Sequence, residues 1–223
     1  MVLEAEDLRV LQQVETYSIH QRQHKVGVAA FVDPQAWQSL GLLRSLFPPV
    51  LKGQEIMAIV DGFVSANQRG RGCLFAMGAH VIKCGLSLVL IDMVRRGWLH
   101  GLVLNGAGVI HDLEIALIGA TSEDVAQNLG AGRFGMVEET PHLINAALQQ
   151  YDSARLGMGA ALGQAIAEGD YPYKSYSLLA AAYTHGVPLT VHVAIGADTI
   201  HMHPSTDGAL LGSATYRDFQ RLT

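Results

Sequence analysis

The chain has 223 residues, 49% of them hydrophobic and 16% charged, with a formal net charge of −5 at pH 7. This length and apolar content can fill one large core, and the acidic balance without a long basic run argues against nucleic acid as a partner. The two cysteines favour a reducing compartment. The chain has no apolar run of membrane-spanning length, and its first segment is too polar and acidic for a signal peptide. We therefore expect a cytoplasmic protein without a membrane partner.

The first fifty residues carry two stretches with apolar side chains at helical spacing. Leu8, Leu11 and Val14 predict a helix within residues 1–19. A second helix is predicted over residues 35–47, which stops at Pro48-Pro49. We therefore expect a helical N-terminal part, residues 1–54, attached to a single domain that spans residues 1–223.

Strands and helices are predicted to alternate in the middle of the chain. The strands are "EIMAIV" (55–60), "CLFAM" (73–77), "HGLVLN" (100–105) and, later, "VPLTVHVAI" (187–195). A buried helix, "CGLSLVLIDMVRRG", separates the second strand from the third, and another helix begins near Val109. This order predicts an α/β fold with a Rossmann-like parallel sheet flanked by helices and joined by right-handed crossovers.

The second half is predicted to be largely helical. Thr121 with Asp124 resembles a capping box, and Thr140-Pro141 is typical of an N-cap and a first helical position. Residues 154–168 and 175–185 are rich in Ala and Leu, which favours helix. The segment "DTIHMHPSTDG" is predicted to be a loop.

Two junctions between a strand and a helix carry glycines. In "LVLNGAGVIHD" these are Gly106 and Gly108, and in "AMGAHVIKCG" they are Gly78 and Gly85. Glycine lets the backbone turn tightly and lets a phosphate approach a helix N-terminus, where free N–H groups favour anions. One such partial match is equally compatible with a turn that binds nothing. Two of them, at the carboxyl ends of adjacent parallel strands, predict a ligand crevice.

Four segments, in this order and spacing, resemble the deoxyhypusine synthase family. They are "GAHVIKCGLSLVLIDMVRRGWLHG", "LVLNGAGVIHDLEIALIG", "GRFGMVEETPHLINAAL" and "GQAIAEGDYPYKSYSLLAAAYTHGVPLTV". The resemblance runs from about residue 55 to residue 200. It implies an NAD-binding domain in a homotetramer whose active sites lie at dimer interfaces. Members of the family oxidise the aminobutyl end of spermidine, transfer it to an enzyme lysine, and pass it to a lysine of a translation factor.

The resemblance assigns roles to particular residues. The first NAD loop corresponds to Gly78, Ala79, His80 and Lys83, and the second to Asn105, Gly106 and Ala107. Asp198 matches an acid that touches the nucleotide. His111 and Asp112 take the paired polar positions after the second loop, and His203 falls near the position of an acid that binds an amine of the polyamine. We therefore consider His111, Asp112 and His203 as catalytic candidates.

The chain departs from the family pattern at the positions that carry the chemistry. Ala79 and Lys83 replace hydroxyl side chains of the first loop, and His203 replaces the second acid. The family's catalytic Trp-Gly-Lys segment is missing, because the chain ends at "YRDFQRLT". We expect NAD binding without aminobutyl transfer. The sequence stops where another strand–helix unit would be expected, so a C-terminally incomplete chain is one interpretation.

Other polar residues permit alternative interpretations. His192, His201 and His203 surround the last strand and could hold a metal, but partly buried polar residues of a pocket are the preferred interpretation. His111 and Asp112 could form an acid–base pair, or Asp112 could cap a helix. Lys83 could contact a pyrophosphate or be a solvated surface residue.

Two classes of function remain open. The first is an NAD-dependent transferase of the deoxyhypusine synthase type that acts on an amine, with a free diamine as one alternative acceptor. The second is a nucleotide-binding or assembly protein of the same fold without the chemistry.

Overall fold

The structure is a computed structural model that describes residues 15–31, 33–35, 50–130, 132–151 and 153–223. Its strands are β1 (His24–Gly27), β2 (Leu74–Met77), β3 (Gly101–Asn105), β4 (Ala120–Glu123) and β5 (Leu189–His192). Its α-helices are α1 (Leu51–Gln68), α2 (His80–Lys83), α3 (Ser87–Arg95), α4 (Gly106–Ile118), α5 (Val125–Leu129), α6 (Glu139–Gln150), α7 (Ser153–Leu156), α8 (Met158–Glu168), α9 (Leu178–Thr184) and α10 (Gly208–Leu222).

A parallel three-stranded sheet in the order β2-β3-β5 organises the α/β fold. Met77 of β2 lies opposite Leu104 of β3, and Asn105 at the end of β3 lies opposite His192 of β5. The carboxyl ends of all three strands therefore meet at one edge of the sheet. The predicted strands at 73–77, 100–105 and 187–195 and their parallel arrangement are confirmed.

The core lies between the sheet and the helices that follow each strand. Leu102 and Leu104 of β3 are each 1% exposed, because α4 packs on this strand, and Val191 of β5 is fully buried between α8 and α10. Inside the core, Leu113 of α4 and Leu162 of α8 are almost fully buried. Burial of this kind stabilises a fold by roughly 25 cal/mol for each Å² of apolar surface.

α4 begins immediately after β3, three residues earlier than the sequence pattern predicted. The Asn105 side chain caps it, because Oδ1 accepts a hydrogen bond of 3.0 Å from the Gly108 N–H. The helix ends at Gly119, which adopts a left-handed conformation with φ of 69°. Glycine takes this conformation without the steric cost of a Cβ atom.

A second, two-stranded sheet ties the N-terminal region to the domain. β1 pairs antiparallel with β4, and His24 lies opposite Glu123. Tyr17 forms an isolated bridge to Val137, and a short 3₁₀ helix covers Ile19–Gln21. The helix predicted within residues 1–19 is therefore wrong where residues 15–19 are described. Residues 1–14, with Leu8, Leu11 and Val14, and residues 36–47 of the second predicted helix lie outside the described residues.

The predicted strand at 55–60 is wrong, because these residues belong to α1. A short apolar run fits a buried strand and a helix segment equally well. Here the run lies within a helix of eighteen residues. Several of its apolar side chains face away from the domain, with Ile59 72% exposed.

Both predicted helix starts in the second half are also displaced. Thr121 belongs to β4, and the side chain of Asp124 alone caps α5 by accepting a hydrogen bond from the Ala126 N–H. α6 begins at Glu139 rather than after Thr140, whose buried hydroxyl points to Glu114. The predicted loop at 198–208 contains a 3₁₀ helix, Thr199–Met202. No helix of the described residues has both the length and the apolar character required to cross a bilayer.

Candidate functional site

A cavity of about 280 Å³ lies beside the first turns of α4. The side chains that line it come from the N-terminal segment, α2, α4, the end of β4 and the two loops around residues 135 and 198. Its ionisable residues are Arg22, Lys83, His111, Glu114, Glu123 and Asp198. A concave site with several convergent ionisable groups is the usual form of a binding or catalytic site.

Three of the eight residues that the sequence assigned to the cofactor line this cavity. Lys83, Ala107 and Asp198 line it. Gly78 lies next to Asn105, because a Cβ added at Gly78 would be 3.8 Å from the Asn105 Nδ2. The two glycine-bearing junctions are therefore neighbours at the carboxyl edge of the sheet, as the sequence predicts.

Gly106 is in contact with Asp198. A Cβ at position 106 would lie too close to the carboxylate of Asp198, so any other residue here would force that carboxylate to move. The carboxylate thus lies near the N-terminal end of α4, where the helix dipole favours a negative charge. Burial nevertheless raises the pKa of Asp198, and the nearby His201 partly offsets this effect.

His111 is linked to Glu114 through the hydroxyl of Thr121. The Thr121 Oγ1 donates a hydrogen bond of 2.5 Å to Glu114 Oε2 and lies 2.7 Å from His111 Nδ1. Since the hydroxyl has one proton and gives it to the carboxylate, His111 Nδ1–H must donate to Thr121. This fixes the tautomer of His111. Its Nε2 then carries a lone pair that has no partner in the described part of the chain.

His111 is held neutral. Burial lowers its pKa, the charge of Glu114 raises it, and the positive charges of Lys83, Arg22 and His80 lower it further. A neutral imidazole with a free Nε2 can accept a proton at neutral pH.

Glu114 also forms a buried ion pair with Arg22. The Arg22 Nη2 lies 2.7 Å from Glu114 Oε2, and the two side chains are 4% and 2% exposed. The same nitrogen lies 3.4 Å from His24 Nδ1, and His24 Nε2 lies 3.1 Å from the Ile19 carbonyl oxygen. Because arginine can only donate, His24 accepts through Nδ1 and donates through Nε2–H.

Glu123 closes the cavity on the side of the N-terminal segment. Its carboxylate accepts hydrogen bonds from the Tyr17 hydroxyl at 2.9 Å, the Asn128 amide at 2.8 Å and the Gly135 N–H at 2.9 Å. Burial, together with the hydrogen bond to Glu123, raises the pKa of Tyr17 to about 12. Ser122, which also lines the cavity, has a left-handed φ of 67°, a rare conformation for a residue other than glycine.

Asp112 and His203 are not brought to the cavity with His111. The Asp112 carboxylate caps α9, with hydrogen bonds of 2.5 Å from the Ser177 hydroxyl, 2.8 Å from the Leu178 N–H and 3.1 Å from the Leu179 N–H. Burial raises its pKa to about 6. His203 does not line the cavity; its Nδ1 lies 2.8 Å from the Ser205 hydroxyl, and burial lowers its pKa.

The histidines around β5 are separately engaged. His192 Nε2 lies 3.0 Å from the Thr190 hydroxyl, and His201 Nδ1 accepts hydrogen bonds from the Gly196 and Asp198 N–H groups. Among the residues that the structure describes, no three His, Cys, Asp or Glu side chains are placed to hold a metal ion.

Lys83 is the one lysine at the cavity. The other three lysines of the chain form contacts elsewhere: Lys25 with Asp124, Lys52 with Glu55, and Lys174 with two carbonyl oxygens. Lys83 is half-buried and has no ion-pair partner among the described residues. The contact of Lys83 with a pyrophosphate, which the sequence offered beside a solvated surface residue, stays a prediction.

Comparisons with known proteins leave the family of the chain open. No protein-family model and no curated protein matches the sequence. A solved structure described as the apo form of ArgZ, an arginine dihydrolase from the ornithine-ammonia cycle in cyanobacteria, has a TM-score of 0.43 and 19% identity over 72% of this chain. The chain spans about one fifth of that protein's length, since the match covers 20% of it.

Proposed function

We propose that the chain is an NAD-dependent enzyme that oxidises an amine in the cavity beside α4. One observation carries the proposal: the cavity holds a neutral His111 whose Nε2 has no partner in the described part of the chain, next to the two glycine-bearing junctions of a parallel sheet. Ligands of open α/β sheets bind outside the carboxyl ends of the strands. The choice of NAD as the cofactor comes from the resemblance to the deoxyhypusine synthase family.

The open edge of the sheet fits NAD at Gly78. This residue follows β2 without a Cβ atom, so the backbone at the junction is open to a phosphate, and an added Cβ would meet only the Asn105 Nδ2, at 3.8 Å. At about 280 Å³ the cavity is too small for a whole dinucleotide, so it would take the amine while most of the cofactor lies along the open edge at Gly78.

NAD, when bound, accepts a hydride from the carbon that carries the amine. The substrate ammonium must first lose a proton, so that the nitrogen electron pair can form the double bond of the imine as the hydride leaves. The His111 Nε2 would accept that proton, and Thr121 would hold the imidazole in the required tautomer. Asp112 and His203 have no part in this step.

Aminobutyl transfer of the deoxyhypusine synthase type is excluded from the proposal. Transfer through an enzyme lysine requires an amine nucleophile near the reacting carbon, and Lys83 is the single candidate. A buried polyamine also requires unpaired carboxylates. Glu114 is paired with Arg22, and Glu123 is engaged by three donors. Among the described residues of the cavity this leaves Asp198 as one unpaired carboxylate, too few for the several charges of a polyamine.

The proposal also includes the cellular compartment, the partners and the oligomeric state. We place the enzyme in the cytoplasm, without nucleic acid or membrane partners, because of its acidic balance and two cysteines that do not form a disulfide framework. We expect a homo-oligomer, a tetramer by the resemblance. A nucleotide-binding or assembly protein without catalysis is the alternative outcome of the tests.

Titration calorimetry with NAD tests the cofactor. Saturable binding is expected, and Gly78→Val should weaken it at least tenfold by obstructing the open edge. Gly72→Val is the matched control, because it adds the same side chain before the other end of β2, where a Cβ meets nothing within 4 Å. No binding by the unaltered chain, or equal losses in both variants, would contradict the proposal.

A transfer assay tests the excluded reaction. The purified chain is incubated with NAD, radiolabelled spermidine and the precursor translation factor, and borohydride is added to trap an imine. We expect no label on the factor and none on Lys83. Label on either one would show that the chain is a working aminobutyl transferase.

A further inference from the structure

Arg22 has hydrogen-bonding capacity that the described residues do not use. The residue is 8% exposed and lines the cavity. Its Nη2 contacts Glu114 and His24, but its Nε is buried without a partner, and its Nη1 has none among the described residues. Buried donors are nearly always satisfied in native proteins, so unused ones beside a cavity indicate a ligand acceptor.

Lys83 contributes a second positive charge to the same cavity. It has no carboxylate partner in the described part of the chain, and its charge reaches His111, whose pKa it helps to lower. A planar guanidinium with unused N–H groups and a lysine ammonium that lines the same cavity together match a carboxylate, which accepts two hydrogen bonds side by side.

The cavity also attracts positive charge. Glu114, Glu123 and Asp198 line it, so three carboxylates face the two cations while His111 is neutral. A purely anionic ligand would be repelled by the carboxylates, and a polyamine would leave the Arg22 donors unused. Asp198 has no ion-pair partner among the described residues and is available to an ammonium group.

We infer that the amine bound in this cavity is an amino acid, whose carboxylate is held by Arg22 and Lys83 and whose ammonium group faces the acids and His111. The size of the cavity, about 280 Å³, fits a molecule of this class. The inference names the substrate class of the proposed amine oxidation and rests on that proposal for its chemistry. The binding of the amino acid itself can be tested without the cofactor.

Matched pairs of ligands that differ by the carboxylate alone give the sharpest test. L-lysine is compared with pentane-1,5-diamine, and L-norvaline with butylamine, by titration calorimetry on the chain without NAD. At least one amino acid should bind at least tenfold more tightly than its decarboxylated amine. Equal or tighter binding of the amines, or no binding of either amino acid, would overturn the inference.

Variants test whether Arg22 and Lys83 cause the preference for amino acids over amines. Arg22→Lys keeps the charge beside Glu114 but removes the planar fork, and it should reduce the tenfold preference to about threefold or less. If that variant does not fold, Lys83→Met serves instead, since Lys83 has no ion pair to lose in the described residues. Lys52→Met, on α1, is the control and should leave the preference unchanged.

The two proposals fail in different ways. Loss of NAD binding with an intact preference for amino acids would contradict the cofactor alone. NAD binding with a preference for amines over amino acids would contradict the substrate class alone.

Discussion

Gly106 and Asp198 meet at the start of α4, where the carboxylate of Asp198 occupies the space that a Cβ on residue 106 would need. The contact joins the junction after β3 to the loop after β5. It explains why a glycine stands at this position without any appeal to a phosphate. It also means that a substitution at Gly106 acts first on Asp198.

Gly106→Ala is therefore expected to lower the free energy of unfolding by about 1–3 kcal/mol, the usual cost of an overpacked contact. Affinity for the amino acid should fall with it, because Asp198 is displaced. Asp198→Ala removes the obstructing carboxylate, so the double variant should be more stable than the two single effects predict. Urea unfolding of all four proteins measures this coupling, and strict additivity would contradict the contact.

The buried pair of Arg22 and Glu114 predicts an asymmetric response to mutation. Arg22→Met leaves a carboxylate buried without its partner and should cost about 3–5 kcal/mol in the free energy of unfolding. Arg22→Met combined with Glu114→Met should recover a large part of this loss, because no uncompensated charge remains. A double variant as unstable as Arg22→Met alone would show that the pair is not coupled in this way.

Asp218 predicts a pH dependence of stability. Its Oδ2 accepts hydrogen bonds of 2.8 Å from the Gly159 and Val191 N–H groups, while its Oδ1 is buried without a partner. Burial raises its pKa to about 6, from an ordinary value of 3.8. The folded state therefore holds an extra proton between these two values, and the contribution of Asp218 to stability falls as the pH rises from 4 to 6.

Asp218→Asn should remove this dependence. The stability of the variant relative to the unaltered chain should rise between pH 4 and pH 7, by about 1.4 kcal/mol for each unit of pKa shift. Urea unfolding at a series of pH values measures the difference. A difference that stays constant across this range would mean that Asp218 titrates near its ordinary pKa.

Exposed apolar side chains on α1 and β2 are the basis of the expected oligomer. Ile59 is 72% exposed and Leu74 66%. Ile56, Val60 and Val64 of α1 are exposed as well, and an exposed group of large apolar side chains on one helix is typical of an interface. Light scattering at micromolar concentration should report an oligomer, and Ile59→Glu should lower its mass. Gln54→Glu adds the same charge at an exposed polar position of α1 and should not, while a monomeric unaltered chain would contradict the prediction.

The sequence was sufficient for the parallel sheet because its strands are buried and bounded by turn residues. Both faces of β3 are largely buried, so its side chains do not alternate between apolar and polar, and the run "HGLVLN" is mostly apolar. The run at 55–60 has the same character but lies on a helix. Over six residues, hydrophobic periodicity does not distinguish a buried strand from a segment of a helix. The difference depends on the elements against which the run packs.

The candidate site was predicted in part. Lys83, His111 and Asp198 were singled out from motif positions, and all line the cavity. Arg22 was missed because its partner Glu114 lies far away in the sequence, and pairing across such a distance leaves no local pattern. Glu114 did leave a signal, because it follows His111 by three residues and so shares a face of α4.

The pairing of β1 with β4 predicts that the cavity forms late in folding. The Tyr17 hydroxyl bonds to Glu123 across 106 residues, and the intervening loop contains β2, β3 and α4. Closing so long a loop has an entropic cost that is recovered only when its ends pack. The sheet can therefore form before Arg22 reaches Glu114, and a ligand that contacts Arg22 would report on completed folding. A fluorescent amino acid analogue that binds there could be used to time the last step of refolding.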